Sequence, residues 1–171
     1  MVSYLNGTTP LALLAKDLTI RARVGLALLG GRLALAHLKS SPDLNIGCAV
    51  FEVARRWFDG ERFDPHQFAY VLDPECGRGT GHCALDAKSA EEKSAWQALD
   101  SAVAYTALHA YREARRVRSP GLTDVDESEL DNIDQSLRSL SPSFMQSMAT
   151  AAAYLEREPN ASFVQLKSAA G

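Results

Sequence analysis

One long helical segment, residues 89–117, constrains the fold of this chain more than any other stretch. It reads SAEEKSAWQALDSAVAYTALHAYREARRV and contains neither glycine nor proline over about eight helical turns. Ser89 and Glu92 form an S-x-x-E capping box at its start. Its apolar stripe comprises Trp96, Leu99, Val103, Thr106, Ala107, Ala110 and Ala114. Tyr105 and Leu108 lie outside that stripe, so we expect the helix to contact neighbours on more than one side.

The prolines divide the rest of the chain into helices. Proline is tolerated at the first helical position, because its missing N–H has no partner there. Four of the seven prolines follow a capping residue, in the pairs Thr9-Pro10, Ser41-Pro42, Asp64-Pro65 and Ser141-Pro142. We therefore predict an all-α bundle of about six helices around the long central one. The predicted helices span 10–38, 42–59, 65–72, 89–117, 126–140 and 142–158.

Two regions are predicted to lack regular structure within a single helical domain, 1–171. Residues 73–87 read DPECGRGTGHCALDA, and three glycines within five residues favour a mobile loop. The C-terminal end, about 160–171, is expected to fray after a brief apolar piece. Gly30-Gly31 in the first helix predicts a kink or a close helix crossing.

Charge and cysteine content limit the classes of function. The net charge is −3, so non-specific nucleic-acid binding has no electrostatic support. Three cysteines, an odd and small number, fit a reducing compartment better than a disulfide framework. The apolar stretch 24–38 is interrupted by Arg32 and is shorter than the roughly 20 apolar residues that span a bilayer. We therefore expect a cytoplasmic protein that binds neither nucleic acid nor a membrane.

The glycine-rich loop carries a candidate cluster of Cys76, His82 and Cys83. Thiolate and imidazole ligate zinc, but a structural site needs four ligands, and the C-x5-H-C spacing matches no familiar zinc finger. A fourth ligand such as His66 or Asp73 would be required. A catalytic Cys–His pair would need a base and an oxyanion donor held in place, which a mobile loop does not supply. We predict no metal, no cofactor and no catalytic residue, and we keep a small helical enzyme or metal-binding protein using this loop as an alternative.

Asp100 falls on the apolar stripe of the central helix, between Trp96 and Val103. A carboxylate at such a position is costly unless it is paired. One interpretation makes Asp100 a general base. The other pairs it with an arginine such as Arg55 or Arg56, or with a buried tyrosine, and we favour this second interpretation.

The strongest charge feature is the acidic segment, residues 124–134, which reads DVDESELDNID. Just upstream lies the opposite sign, in Arg112, Arg115, Arg116 and Arg118. Part of this pattern is helix-dipole complementarity, with acids at one helix start and bases at the preceding helix end. The excess would form a steering surface for a basic partner. The predicted partner-binding residues are Asp124, Asp126, Glu127, Glu129, Asp131 and Asp134.

Two blocks resemble a known family. Residues 95–137 read AWQALDSAVAYTALHAYREARRVRSPGLTDVDESELDNIDQSL, and residues 50–73 read VFEVARRWFDGERFDPHQFAYVLD. The matching positions of the first block are Ala95, Trp96, Ala98, Tyr105, Ala107, Ala110 and Tyr111, followed by Pro120-Gly121 and the acidic segment. These features resemble the small all-helical immunity proteins of bacterial polymorphic toxin systems. Together the similarity covers roughly residues 46–140.

The resemblance implies a cytoplasmic, non-enzymatic protein that binds and neutralises one cognate toxin. Many such toxins act on nucleic acids and present basic clefts, so the acidic segment is the expected contact. A second alternative stays open beside the enzyme. In a homo-oligomeric scaffold or regulatory protein, such as a homodimer, the apolar first helix would be buried between subunits.

Overall fold

The computed structural model describes residues 9–72 and 79–171, and no strand occurs in this part of the chain. Its α-helices are α1 (Leu11–Ala15), α2 (Ile20–Leu35), α3 (Leu44–Phe58), α4 (His66–Leu72), α5 (Thr80–Leu85), α6 (Ala90–Ala114), α7 (Glu129–Leu140), α8 (Pro142–Arg157) and α9 (Phe163–Ala170). A short 3-10 helix, Ala36–Leu38, continues α2, and another, Pro120–Leu122, lies between α6 and α7. The prediction of an all-α bundle around a long central helix is confirmed.

Helix α6 forms the centre of the core. Every residue from Ser101 to Tyr111 is buried, because α2, α3, α4, α5 and α7 all pack against this helix. Trp96 and Tyr105 are among its fully buried large side chains. The expectation that the central helix contacts neighbours on more than one side is therefore confirmed.

The ends of α6 follow from local hydrogen bonding. The Ser89 hydroxyl accepts the Glu92 N–H at 3.0 Å, and the Glu92 carboxylate accepts the Lys88 N–H at 2.9 Å. Both bonds satisfy backbone donors that have no partner within the helix. The helix ends at Ala114, earlier than the predicted residue 117, because Arg115 adopts the left-handed conformation with φ 52°.

Gly30 and Gly31 let α2 approach its neighbours closely. A Cβ at Gly30 would lie 2.7 Å from Ile133 Cγ2, and one at Gly31 would lie 2.9 Å from the Ala102 Cβ. Of the two predicted outcomes, a kink or a close crossing, the structure shows the close crossing, and α2 continues through both glycines. Helices α3, α6, α7 and α8 pack around α2, so its apolar residues are already buried within the chain. The reason for placing this helix between subunits therefore disappears.

The predicted first helix over 10–38 is wrong in one respect, because it is two α-helices. Thr19 separates them, and its hydroxyl accepts the Ala22 N–H at 3.2 Å at the start of α2. The Arg23 side chain donates to the Leu18 carbonyl at 3.0 Å, which satisfies an acceptor after the end of α1. The apolar periodicity runs across this break and conceals it.

The predicted loop over 73–87 is wrong for the part that forms α5. Residues 73–78 lie outside the described residues. Thr80 is fully buried and Cys83 is 2 % exposed, because α5 packs on α6. Tertiary burial thus outweighs the low helix propensity of glycine in this segment.

The C-terminal segment is an ordered helix where fraying was expected. Ser162 and Gln165 form a capping box at the start of α9. The Asp59 carboxylate accepts the Phe163 N–H at 2.9 Å, and the ring of Phe163 lies 5.4 Å from that of Phe51. The brief apolar piece is therefore the buried face of a helix.

Candidate functional site

The structure divides the six acids of the predicted surface into exposed and internally bonded residues. Asp124, Asp126 and Asp131 are exposed. Asp126 accepts the Ser128 N–H at 2.8 Å, and hydrogen bonding from Ser128 lowers the pKa of the Asp126 carboxyl. With the described residues, the side chains of Asp124 and Asp131 form no hydrogen bond or ion pair. These three exposed acids are accessible to a partner.

Glu127 is bonded to the body of the molecule. It accepts the Tyr105 hydroxyl at 2.7 Å and pairs with Arg112 at 2.6 Å. Partial burial acts to raise the pKa of Glu127, but the bonds from Tyr105 and Arg112 outweigh it and lower this pKa. Glu127 therefore anchors the acidic segment to α6.

Asp134 joins α7 to α1. Its carboxylate accepts the Leu11 N–H at 2.9 Å and pairs with Arg138 at 2.7 Å, and its side chain is 14 % exposed. Arg138 in turn donates to the Thr9 carbonyl at 2.9 Å. Because these contacts are internal, we leave Asp134 out of the surface discussed below.

The loop that leads into α7 is fixed by Arg118. This side chain donates to the Leu122 carbonyl at 3.2 Å and to the Val125 carbonyl. Leu122 and Leu130 are each 4 % exposed, one before and one after the exposed acids of the loop. The acidic segment is thus held in place by bonds within the chain itself.

The Cys76, His82 and Cys83 cluster is only partly within the described residues, because Cys76 lies outside them. His82 and Cys83 are neighbours on α5, and Cys83 is in the core. His66, the suggested fourth ligand, makes a hydrogen bond of 3.0 Å between its Nδ1 and the Tyr111 hydroxyl. Over residues 9–72 and 79–171, no three His, Cys, Asp or Glu side chains are grouped so that they could hold a metal ion.

Asp100 is bonded differently from the prediction. The Thr80 hydroxyl on α5 donates to Asp100 Oδ1, so the pairing with an arginine or a buried tyrosine is wrong. Arg55 and Arg56 lie on the outer side of α3 and pair with carboxylates on or near their own helix. The missing information was the helix α5, which the glycine pattern concealed.

Asp100 lies in the α6–α7 pocket, a cavity of about 430 Å³ between these two helices. The lining residues are Ser94, Gln97, Asp100, Ser101, Asn132, Gln135, Ser136 and Ser139. Every one of these eight side chains is polar, and none is basic. Burial raises the pKa of Asp100 to about 6; the Thr80 hydrogen bond opposes this shift, and the charge of Glu129 adds to it.

A second cavity, of about 420 Å³, lies beside α6 and includes Trp57 and His109 in its lining. His109 is 4 % exposed, and its Nε2 has no hydrogen-bond partner in the described part of the chain. The nearest carboxylate oxygen reported for it belongs to Glu127, 3.8 Å away. Burial lowers the pKa of His109, and the adjacent Glu127 opposes that shift. Arg21, Arg62 and Arg112 line this cavity and are already bonded within the chain.

A third cavity, of about 620 Å³, lies between α2, α3 and α9. Phe51 and Phe163 form part of its apolar wall, and Arg32 and Lys167 lie among its polar lining residues. Sequence periodicity gave no sign of this groove, because α9 was expected to fray.

No family model, no curated protein and no solved structure matches this chain. In the part of the chain that the structure describes, no helix combines the length and apolar character needed to cross a bilayer. Function is therefore argued from the site geometry and from the family resemblance of the two sequence blocks.

Proposed function

We propose that this chain is an immunity protein that binds a cognate bacterial toxin and neutralises it by occlusion. The resemblance of residues 50–73 and 95–137 to small helical immunity proteins supports this function. The structural observation that carries it is the set of three exposed acids, Asp124, Asp126 and Asp131, on a segment that is fixed by the rest of the fold.

Fixation of this segment favours binding. Glu127 attaches it to Tyr105 and Arg112, and Arg118 holds the loop carbonyls before α7. A partner that binds a fixed surface does not have to order it first, and ordering costs about 0.5–1.5 kcal/mol for each immobilised flexible side chain. The acids are thus presented ready for contact.

The sign of the charge indicates the kind of partner. Exposed carboxylates without an ion-pair partner attract a basic surface and raise its rate of encounter. A toxin domain of the nuclease type has a basic cleft for nucleic acid, and an acidic segment laid across that cleft would exclude the substrate. The proposed mechanism is therefore binding and blocking, with no chemical step on this chain.

Co-expression tests this function. The toxin is sought as the C-terminal domain of a large secreted protein encoded beside this gene, and it is induced in cells with or without this chain. We expect growth arrest with the toxin alone and full growth with both, together with a stable complex of the two purified proteins. Continued arrest despite soluble expression of this chain would contradict the proposed function.

A further inference from the structure

The α6–α7 pocket contains polar groups that the protein itself does not use. Ser101 and Ser136 are each 7 % exposed and both line this pocket. Among the described residues, neither side-chain hydroxyl has a hydrogen-bond partner. Nearly buried polar groups are normally satisfied, so two unused hydroxyls facing one cavity indicate a site that receives a polar ligand.

The charge of the pocket selects the ligand class. Asp100 supplies a carboxylate, and Glu129 lies near enough on α7 to act on it electrostatically. The group that faces Asp100 from α5 is the neutral Thr80 hydroxyl. No lining residue is basic, so an anionic ligand would be repelled, and a neutral ligand would leave the buried carboxylate uncompensated.

Hydrogen-bond geometry narrows the class further. Around Asp100 the pocket offers hydroxyl oxygens and the amide oxygens of Gln97, Asn132 and Gln135 as acceptors. An ammonium group carries three N–H donors, and a guanidinium carries five. Such a cation compensates the charge of Asp100 and satisfies several neutral acceptors at the same time.

We propose that the α6–α7 pocket binds the cationic N–H group of a lysine or arginine side chain. This inference rests on the proposed function for the source of that side chain, which is the basic toxin. The exposed acids then attract the toxin, and the pocket receives one of its basic side chains as a desolvated anchor.

Small cations test the pocket without the toxin. Butylammonium and butylguanidinium imitate the two side chains, and tetramethylammonium carries the same charge without an N–H donor. We expect saturable shifts of the backbone amide resonances of Asp100, Ser101 and Ser136 with the first two probes, and binding at least tenfold weaker with the third. The same titration on Asp100→Asn should show at least tenfold weaker binding. Asp17→Asn, which removes an exposed charge in the α1–α2 connection, should bind like the unmodified protein.

A second variant and a change of pH complete the test. Ser136→Leu fills the cavity and should abolish the response to both N–H probes while leaving Asp100 in place. Because the pKa of Asp100 is about 6, lowering the pH from about 7 to about 5 reduces its ionised fraction by about tenfold. Probe affinity should fall by the same factor, and this fall should be absent in Asp100→Asn.

Equal responses to tetramethylammonium and butylammonium, or unchanged binding in Asp100→Asn, would overturn the pocket assignment. The two proposals fail separately. If growth is rescued from the toxin but the N–H probes do not bind, the pocket assignment is wrong and the proposed function stands. If the probes bind as described but the toxin is neither bound nor neutralised, the proposed function is wrong and the cation site stands.

Discussion

Asp100 is a side chain whose charge lowers the stability of the folded chain. Burial raises its pKa from 3.8 to about 6, so the folded state holds the proton more tightly than the unfolded state does. A hydroxyl from Thr80 is its only hydrogen-bond donor that the structure gives. A residue that carries such a cost without a basic partner is typical of a binding site, where function outweighs stability.

Replacing Asp100 with Asn should stabilise the protein at neutral pH by about 2 kcal/mol, since each unit of pKa shift corresponds to about 1.4 kcal/mol. The folded state binds more protons than the unfolded state between pH 3.8 and about 6, so the unfolding free energy of the unmodified chain falls as pH rises through that window. Urea unfolding at several pH values measures this dependence. Asp100→Asn should lose that fall, and an identical pH profile for both proteins would contradict the pKa shift.

At the scale of the helices, most starts were predictable because they depend on local capping chemistry. Pro142 is the first residue of α8, and α4 begins one position after Pro65. The break at Thr19 and the helix α5 were missed for a different reason. There the deciding contacts come from distant parts of the chain, the packing of α5 on α6 among them. Local propensity carries no information about such contacts.

The α2 crossing gives a prediction about helix packing. Gly31→Ala should lower the unfolding free energy by about 1–3 kcal/mol, because the new methyl would lie 2.9 Å from the Ala102 Cβ, and two helix-bound methyl carbons cannot move apart freely. Gly81→Ala on α5 is the matched control, because a Cβ there meets nothing within 4 Å. The control should be neutral or stabilising by up to about 1 kcal/mol, and thermal unfolding distinguishes the two. Equal effects of both substitutions would show that the crossing is not tightly packed.

At the scale of the whole molecule, the acidic segment was visible in the sequence but its working surface was not. Which acids are exposed depends on partners far away, such as Leu11 for Asp134 and Tyr105 for Glu127. The α6–α7 pocket was hidden for the same reason. Its two walls come from separate helices, and their relative register is set by packing over the whole core.

Charge reversal tests the exposed acids as a set. The triple variant Asp124→Lys, Asp126→Lys and Asp131→Lys should slow association with the toxin by on the order of tenfold or more at low salt, and by much less at high salt. The matched control reverses three exposed acids elsewhere, Asp17, Glu156 and Glu158. Stopped-flow association measures both. Equal slowing by the two variants would indicate an effect of net charge alone and would remove the acidic segment from the interface.

The bond between Asp134 and the Leu11 N–H has a consequence for biosynthesis. The two residues are 123 positions apart, so α1 leaves the ribosome long before its attachment point on α7 has been translated. A helix of five residues is not stable by itself in water. Nascent chains must therefore carry Leu11 and Leu14 uncovered until late in translation. Molecular chaperones that recognise exposed apolar segments have most time to act on this N-terminal stretch.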